Sequence, residues 1–113
     1  MSAITTHVLD TSRGRPAPGV RVALEQLNAQ DQWKPIAQGT TDDDGRLRTL
    51  MPAGTAALPG TYRLVFETGS YFETQAVPSF YPHVVLTFTV GEDAHYHVPL
   101  LLSPFGYSTY RGS

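Results

Sequence analysis

The segment His95-Tyr-His-Val-Pro-Leu-Leu-Leu-Ser-Pro-Phe-Gly-Tyr-Ser-Thr-Tyr-Arg-Gly-Ser113 reads as two strands about a turn. Tyr96, Val98, Leu100 and Leu102 alternate with His95, His97, Pro99 and Leu101, the period of a strand whose successive side chains point to opposite faces. The first set is a core face. The second is half polar and half apolar, unlike an ordinary solvated face. Beyond Pro104-Phe-Gly106 a further strand is predicted over Tyr107–Arg111. The sequence then closes on Tyr110-Arg111-Gly112-Ser113. An aromatic ring, a guanidinium and a free carboxylate stand there instead of the frayed polar tail usual at a chain end.

Working outward, nine prolines and ten glycines punctuate short alternating runs, the pattern of a β-sandwich or barrel. Strands are predicted at Thr5–Asp10, Val20–Leu27, Trp33–Thr40, Leu47–Leu50, Thr61–Thr68, His83–Val90, Tyr96–Leu102 and Tyr107–Arg111. The turn Asp43-Asp44-Gly45 precedes the fourth, and Gly69–Ala76 is the one short helix. Packed as two antiparallel sheets, each strand buries one face. On the first strand Thr6 and Val8 alternate with Thr5, His7 and Leu9. If the first and the last two strands are neighbours, His7, His97 and Tyr110 share a face. The apolar residues beside them predict that another subunit covers it.

A chain of 113 residues is read as one domain, 1–113, burying roughly 65% of its unfolded surface without staples. It has no cysteine and a net charge of −2 with both signs scattered. This excludes disulfide support and thiol chemistry, and offers no basic stripe for nucleic acid. No apolar run is long enough to span a bilayer. Neither a secretory leader nor a terminal Ser-Lys-Leu is present, so the expected location is cytoplasmic.

Imidazole alone titrates near neutral pH unperturbed, which makes His7 and His97 the candidates for acid–base work. His95 is expected to be solvated, and His83, after Pro82, to open a strand. From the residues alone a second reading stays open: His95-x-His97 with His7 as a zinc site, three imidazoles plus water. The run Asp42-Asp-Asp-Gly45 lacks the downstream glutamate of a calcium loop and reads as a turn. No Gly-x-Ser-x-Gly elbow supports a serine nucleophile, and Gly14-Arg-Pro-Ala-Pro-Gly19 is proline-stiffened turn chemistry rather than a phosphate loop.

Four groups of residues resemble one known family in the right order: Thr6-His-Val-Leu-Asp10 with Arg13-Gly14-Arg15-Pro16-Ala17, Asp44-Gly45-Arg46, Pro59-Gly60-Thr61-Tyr62-Arg63, and the terminal Tyr110-Arg111-Gly112-Ser113. The chain resembles the transthyretin-related family, in its 5-hydroxyisourate hydrolase branch. The resemblance implies an all-β, transthyretin-like (prealbumin-like) antiparallel sandwich of two four-stranded sheets with one short helix. It implies a homotetramer, a dimer of dimers with sites where dimers meet, acting on 5-hydroxyisourate without metal or cofactor. By the same resemblance His7, Arg46 and His97 are catalytic, and Tyr110, Arg111, Gly112 and Ser113 bind substrate. Two rivals weigh against this. One is a carrier of hydrophobic ligands with the same fold, which the resemblance says lacks the Tyr-Arg-Gly-Ser ending and the His, Arg, His set. The other is a structural sandwich module, which leaves that ending unexplained.

Overall fold

Apolar side chains at alternate positions leave each strand one face to bury, and two sheets satisfy them by packing against each other. The computed structural model describes residues 2–113. The elements are β1 (Ile4–Asp10), β2 (Arg15–Pro16), β3 (Arg21–Leu27), β4 (Trp33–Thr40), β5 (Arg46–Leu47), β6 (Gly60–Phe66), α1 (Thr68–Glu73), β7 (Val84–Val90), β8 (Tyr96–Ser103) and β9 (Gly106–Thr109). One sheet is ordered β2-β1-β8-β9, with β5 also paired to β1, and the other β4-β3-β6-β7. Between them Ile4, Val8, Leu100 and Leu102 of the first sheet and Val22, Leu24, Leu64 and Phe66 of the second are at most 2% exposed. Each contributes about 1.5–3 kcal/mol by leaving water. The half-exposed Arg63–Glu25 ion pair contributes about 1 kcal/mol at most, so apolar alternation, not charge, holds the sandwich.

The sandwich agrees with the sequence reading, with four refinements. The four-strand sheet is antiparallel throughout, but β1 and β8 run parallel, Ile4 opposite Tyr96 through Asp10 opposite Leu102. The entire second sheet lies between them in sequence, so the hairpin that would force antiparallel pairing is absent. The first sheet also gains β2: Arg15 and Pro16, read as turn, pair with Asp10 and Leu9. The strand expected at Leu47–Leu50 shrinks to β5, whose two residues pair with Thr6 and His7.

The last strand stops at Thr109 rather than Arg111. Pro99 has no N–H to continue the ladder, and its carbonyl accepts the Thr109 hydroxyl at 2.6 Å. Pairing resumes beyond the proline in the same register, where Gly112 donates its N–H to the His97 carbonyl at 2.8 Å. The chain terminus is thereby tied to β8.

The helix is fastened by a buried carboxylate. Asp10, 1% exposed, accepts the Tyr71 hydroxyl at 2.8 Å and the Ser12 hydroxyl at 2.6 Å. The backbone N–H groups of Ser12 and Arg13 complete its shell. A buried charge is tolerated only with such complete satisfaction.

Candidate active site

Arg46 reaches β1 through a tightly specified turn. The Asp42 carboxylate accepts the N–H groups of Asp44 and Arg46, both at 2.9 Å, and these bonds, that from Arg46 foremost, hold its carboxyl below the usual range. Gly45 has φ +73°, and a Cβ there would strike the Val8 carbonyl oxygen; only glycine suits both demands. The Gly45 carbonyl then accepts the Val8 N–H at 2.8 Å, which sets Arg46 opposite His7.

His7 Nε2 lies 2.9 Å from the Asp44 carbonyl oxygen. A carbonyl only accepts, so Nε2 carries the hydrogen and Nδ1 the lone pair. Parallel pairing sets Thr5 beside His97 and His7 beside Pro99, so the two histidines stand on one face, as the alternation predicts. The Thr5 hydroxyl lies 2.8 Å from His97 Nδ1 and 3.0 Å from His95 Nε2. Burial, then the Arg46 charge, lowers the pKa of both His7 and His97 below 6.5; the Asp44 carbonyl opposes this at His7, while His7 and His95 add to it at His97. Both imidazoles are neutral at pH 7 and able to accept a proton.

A cleft of about 140 Å³ opens here, lined by Thr5, Thr6, Arg46, Arg48, His95, His97 and Ser113. Its chemistry is proton acceptors beside two guanidinium groups, suited to an anionic, carbonyl-rich ligand that must receive or lose a proton. Gly112 passes against His97 so closely that a Cβ would lie 2.6 Å from its Cδ2. That approach brings Ser113 to the cleft.

Four of the seven predicted site residues lie at the cleft or form its support: Arg46, His97, Gly112 and Ser113. His7 stands at its rim, opposite Arg46. Arg111 and Tyr110 are not brought to the cleft in this chain. The continued register puts Arg111 opposite Val98, on the face toward the other sheet. Its guanidinium lies 4.5 Å from the Tyr96 ring centroid and 3.1 Å from the Asp93 carboxylate. Tyr110, 57% exposed, borders with Arg111 a separate groove between the edges of β7 and β9. Sequence reasoning missed Thr5, Arg48 and His95. Arg48 stands two residues from Arg46, and Thr5 shares the His97 face by alternation; both signals were available. His95 is half-buried rather than solvated, because Thr5 draws its ring inward.

The three-histidine metal reading does not survive the geometry. His95 and His97 turn toward Thr5, and His7 toward a backbone carbonyl. Among the described residues no group of three or more His, Asp or Glu side chains is placed to hold a metal ion.

Comparison with known proteins agrees with this fold. The HIUase/Transthyretin family matches residues 4–112. A 5-hydroxyisourate hydrolase of Salmonella typhimurium is 49% identical over 97% of this chain and 80% of its own length. The structure of Klebsiella pneumoniae 5-hydroxyisourate hydrolase superposes with a TM-score of 0.86 at 36% identity, covering 99% of this chain and 100% of that one. Sea bream transthyretin, solved in complex with thyroxine, superposes at 0.91 with 31% identity, over 98% and 95% of the two chains. With the fold matched from end to end and nearly half the residues shared with a relative, the chain belongs to the HIUase/Transthyretin family.

Proposed function

We propose that this chain is a 5-hydroxyisourate hydrolase, opening the ring of 5-hydroxyisourate to 2-oxo-4-hydroxy-4-carboxy-5-ureidoimidazoline in urate degradation. The hydrolase names carried by relatives at 43–49% identity support the substrate. The observation that carries the mechanism is the meeting of His97 with Arg46 at one cleft, with His7 set opposite Arg46.

The reaction needs a base for water, a cation for the developing oxyanion and an acid for the leaving nitrogen. His97 and His7 divide the proton transfers. Arg46 orients the substrate by its planar fork and offsets oxyanion charge, and Arg48 adds to the field that draws an anion in. Ser113 completes the lining of the cleft. Gly112 provides the close approach that brings it there, while Arg111, resting on Tyr96 and Asp93, pins the terminus. Water attacks directly, with no covalent intermediate.

The active form is a homotetramer, a dimer of dimers. A 140 Å³ cleft is small beside the roughly 300–1,000 Å³ of most ligand sites, which supports a second subunit supplying its remaining wall. The carrier reading has the likeness to sea bream transthyretin behind it, but a site of imidazole and guanidinium serves hydrolysis better than an apolar ligand. The decisive assay generates 5-hydroxyisourate with urate oxidase and follows its ultraviolet decay. Acceleration by this protein is expected, and decay at the uncatalysed rate rejects the assignment.

A further inference from the structure

The Thr5 hydroxyl sits between two imidazoles, 2.8 Å from His97 Nδ1 and 3.0 Å from His95 Nε2. Thr5 is 4% exposed, so water has little access to replace either partner. Its position is fixed by the β1/β8 register, directly opposite His97. A hydroxyl has one hydrogen to donate. When both rings are neutral, and with no other hydrogen-bond partner for the Thr5 hydroxyl among the described residues, that hydrogen goes to one imidazole, and the other presents an N–H to the hydroxyl oxygen. The hydrogen positions on His95 and His97 are therefore locked to each other, leaving two self-consistent arrangements. In one, Thr5 donates to His95 and accepts from His97, so both rings carry their hydrogen on Nδ1. In the other, Thr5 donates to His97, and both rings carry it on Nε2.

We propose that Thr5 and His95 are positioning residues that hold His97 as its Nδ1–H tautomer, leaving the Nε2 lone pair free to take a proton from water. The cleft selects between the arrangements. Arg46, first among the charges acting on His97, shares the cleft with Arg48. A lone pair on Nε2 is favoured by neighbouring cations, and a further N–H donor there is opposed. His95 matters as the acceptor of the Thr5 hydrogen: without it the hydroxyl is free to donate to His97 and reverse the tautomer. The nitrogen that keeps its hydrogen is set by the partner of the other nitrogen, the usual way a functional imidazole is oriented.

This inference rests on the proposed hydrolysis only for its catalytic consequence; the tautomers are measurable without substrate. Long-range proton–nitrogen correlation spectra of the assembled protein, above the histidine titration range, report which ring nitrogen is protonated. Wild type is expected to show Nδ1–H for both His95 and His97. In Thr5→Val the lock is gone, and His97 should shift toward Nε2–H, as it should in His95→Phe. Turnover should fall by about 10–100-fold in both variants, the loss typical when a partner orienting an imidazole is removed, with KM nearly unchanged. Thr5→Ser keeps the hydroxyl and should restore both spectrum and turnover. Nε2–H on both rings of the wild type overturns the proposal, as does a His97 tautomer unmoved by either variant. Absence of hydrolysis in a wild type with both rings Nδ1–H would instead count against the assigned activity alone.

Discussion

His7 and Arg46 face each other across the β1/β5 pair, so one strand pairing sets both a proton acceptor, whose pKa is lowered first by burial, and the cation that adds to that lowering. Neither side chain makes sense as an isolated surface group. His7→Asn or His97→Asn, each removing a titrating nitrogen, should lower turnover by about 10²-fold or more. Arg46→Lys keeps the charge but loses the fork, and should fail comparably. Near-wild-type turnover in all three, measured on folded assemblies, would remove the assigned roles.

The pH dependence has a definite direction. Both imidazoles ionise below 6.5 in the folded chain, so activity should hold above that pH and fall on the acid side, with the inflection below 6.5. Stability should move the same way. Near pH 6.5 the unfolded chain takes up protons on these histidines before the folded one does, so acid favours unfolding. Their contribution is present above 6.5 and is lost as pH falls through the folded values. Thermal melts on either side of pH 6.5 should show a smaller acid loss for the His7→Asn/His97→Asn double variant than for wild type. An equal loss in both would show that other groups govern it.

Gly45→Ala should disturb the cleft from a distance. The substitution meets both a positive φ and the Val8 carbonyl, a combination costing about 1–3 kcal/mol. If the turn yields, Arg46 leaves its place opposite His7. A lowered melting temperature accompanied by loss of turnover is expected, whereas Gly54→Ala, with φ +84° but open space around it, should affect stability alone.

Prolonged dialysis against a strong chelator should leave turnover unchanged. Loss of activity with recovery on adding zinc would require the histidines to rearrange from their Thr5 and Asp44 partners.

The Asp10–Tyr71 bond offers a stability test remote from the cleft. Tyr71→Phe removes one donor from a buried carboxylate and should destabilise by about 1–3 kcal/mol, seen in denaturant midpoints, with turnover preserved.

Much of this was legible in the residues. Alternation put Tyr96, Val98, Leu100 and Leu102 in the core and, given that the first and last two strands are neighbours, His7 and His97 on a shared face. The same count turns Arg111 away from the His97 face, whereas the resemblance carried by the terminal motif assigned it to substrate binding. The parallel pairing of β1 and β8 was not legible, because side-chain period is the same in either strand direction. The early end of β9 was foreshadowed by Pro99, whose missing N–H breaks the ladder. His95 was misjudged because its burial depends on Thr5, a partner 90 positions away, and no local pattern reports such a contact.

The parallel pair has a consequence for how the molecule comes into being. The central partner of β1 is β8, a strand made after every strand of the other sheet. The sheet formed by β3, β4, β6 and β7 is complete in sequence before β8 has emerged, so it can form while β1 waits unpaired on that side. Thr5 and His97 meet only after β8 has been synthesised, and closing so long a loop is slow. Chains that end before β8 leave β1 without its central partner and have no cleft: chemistry is withheld until β8 has been made.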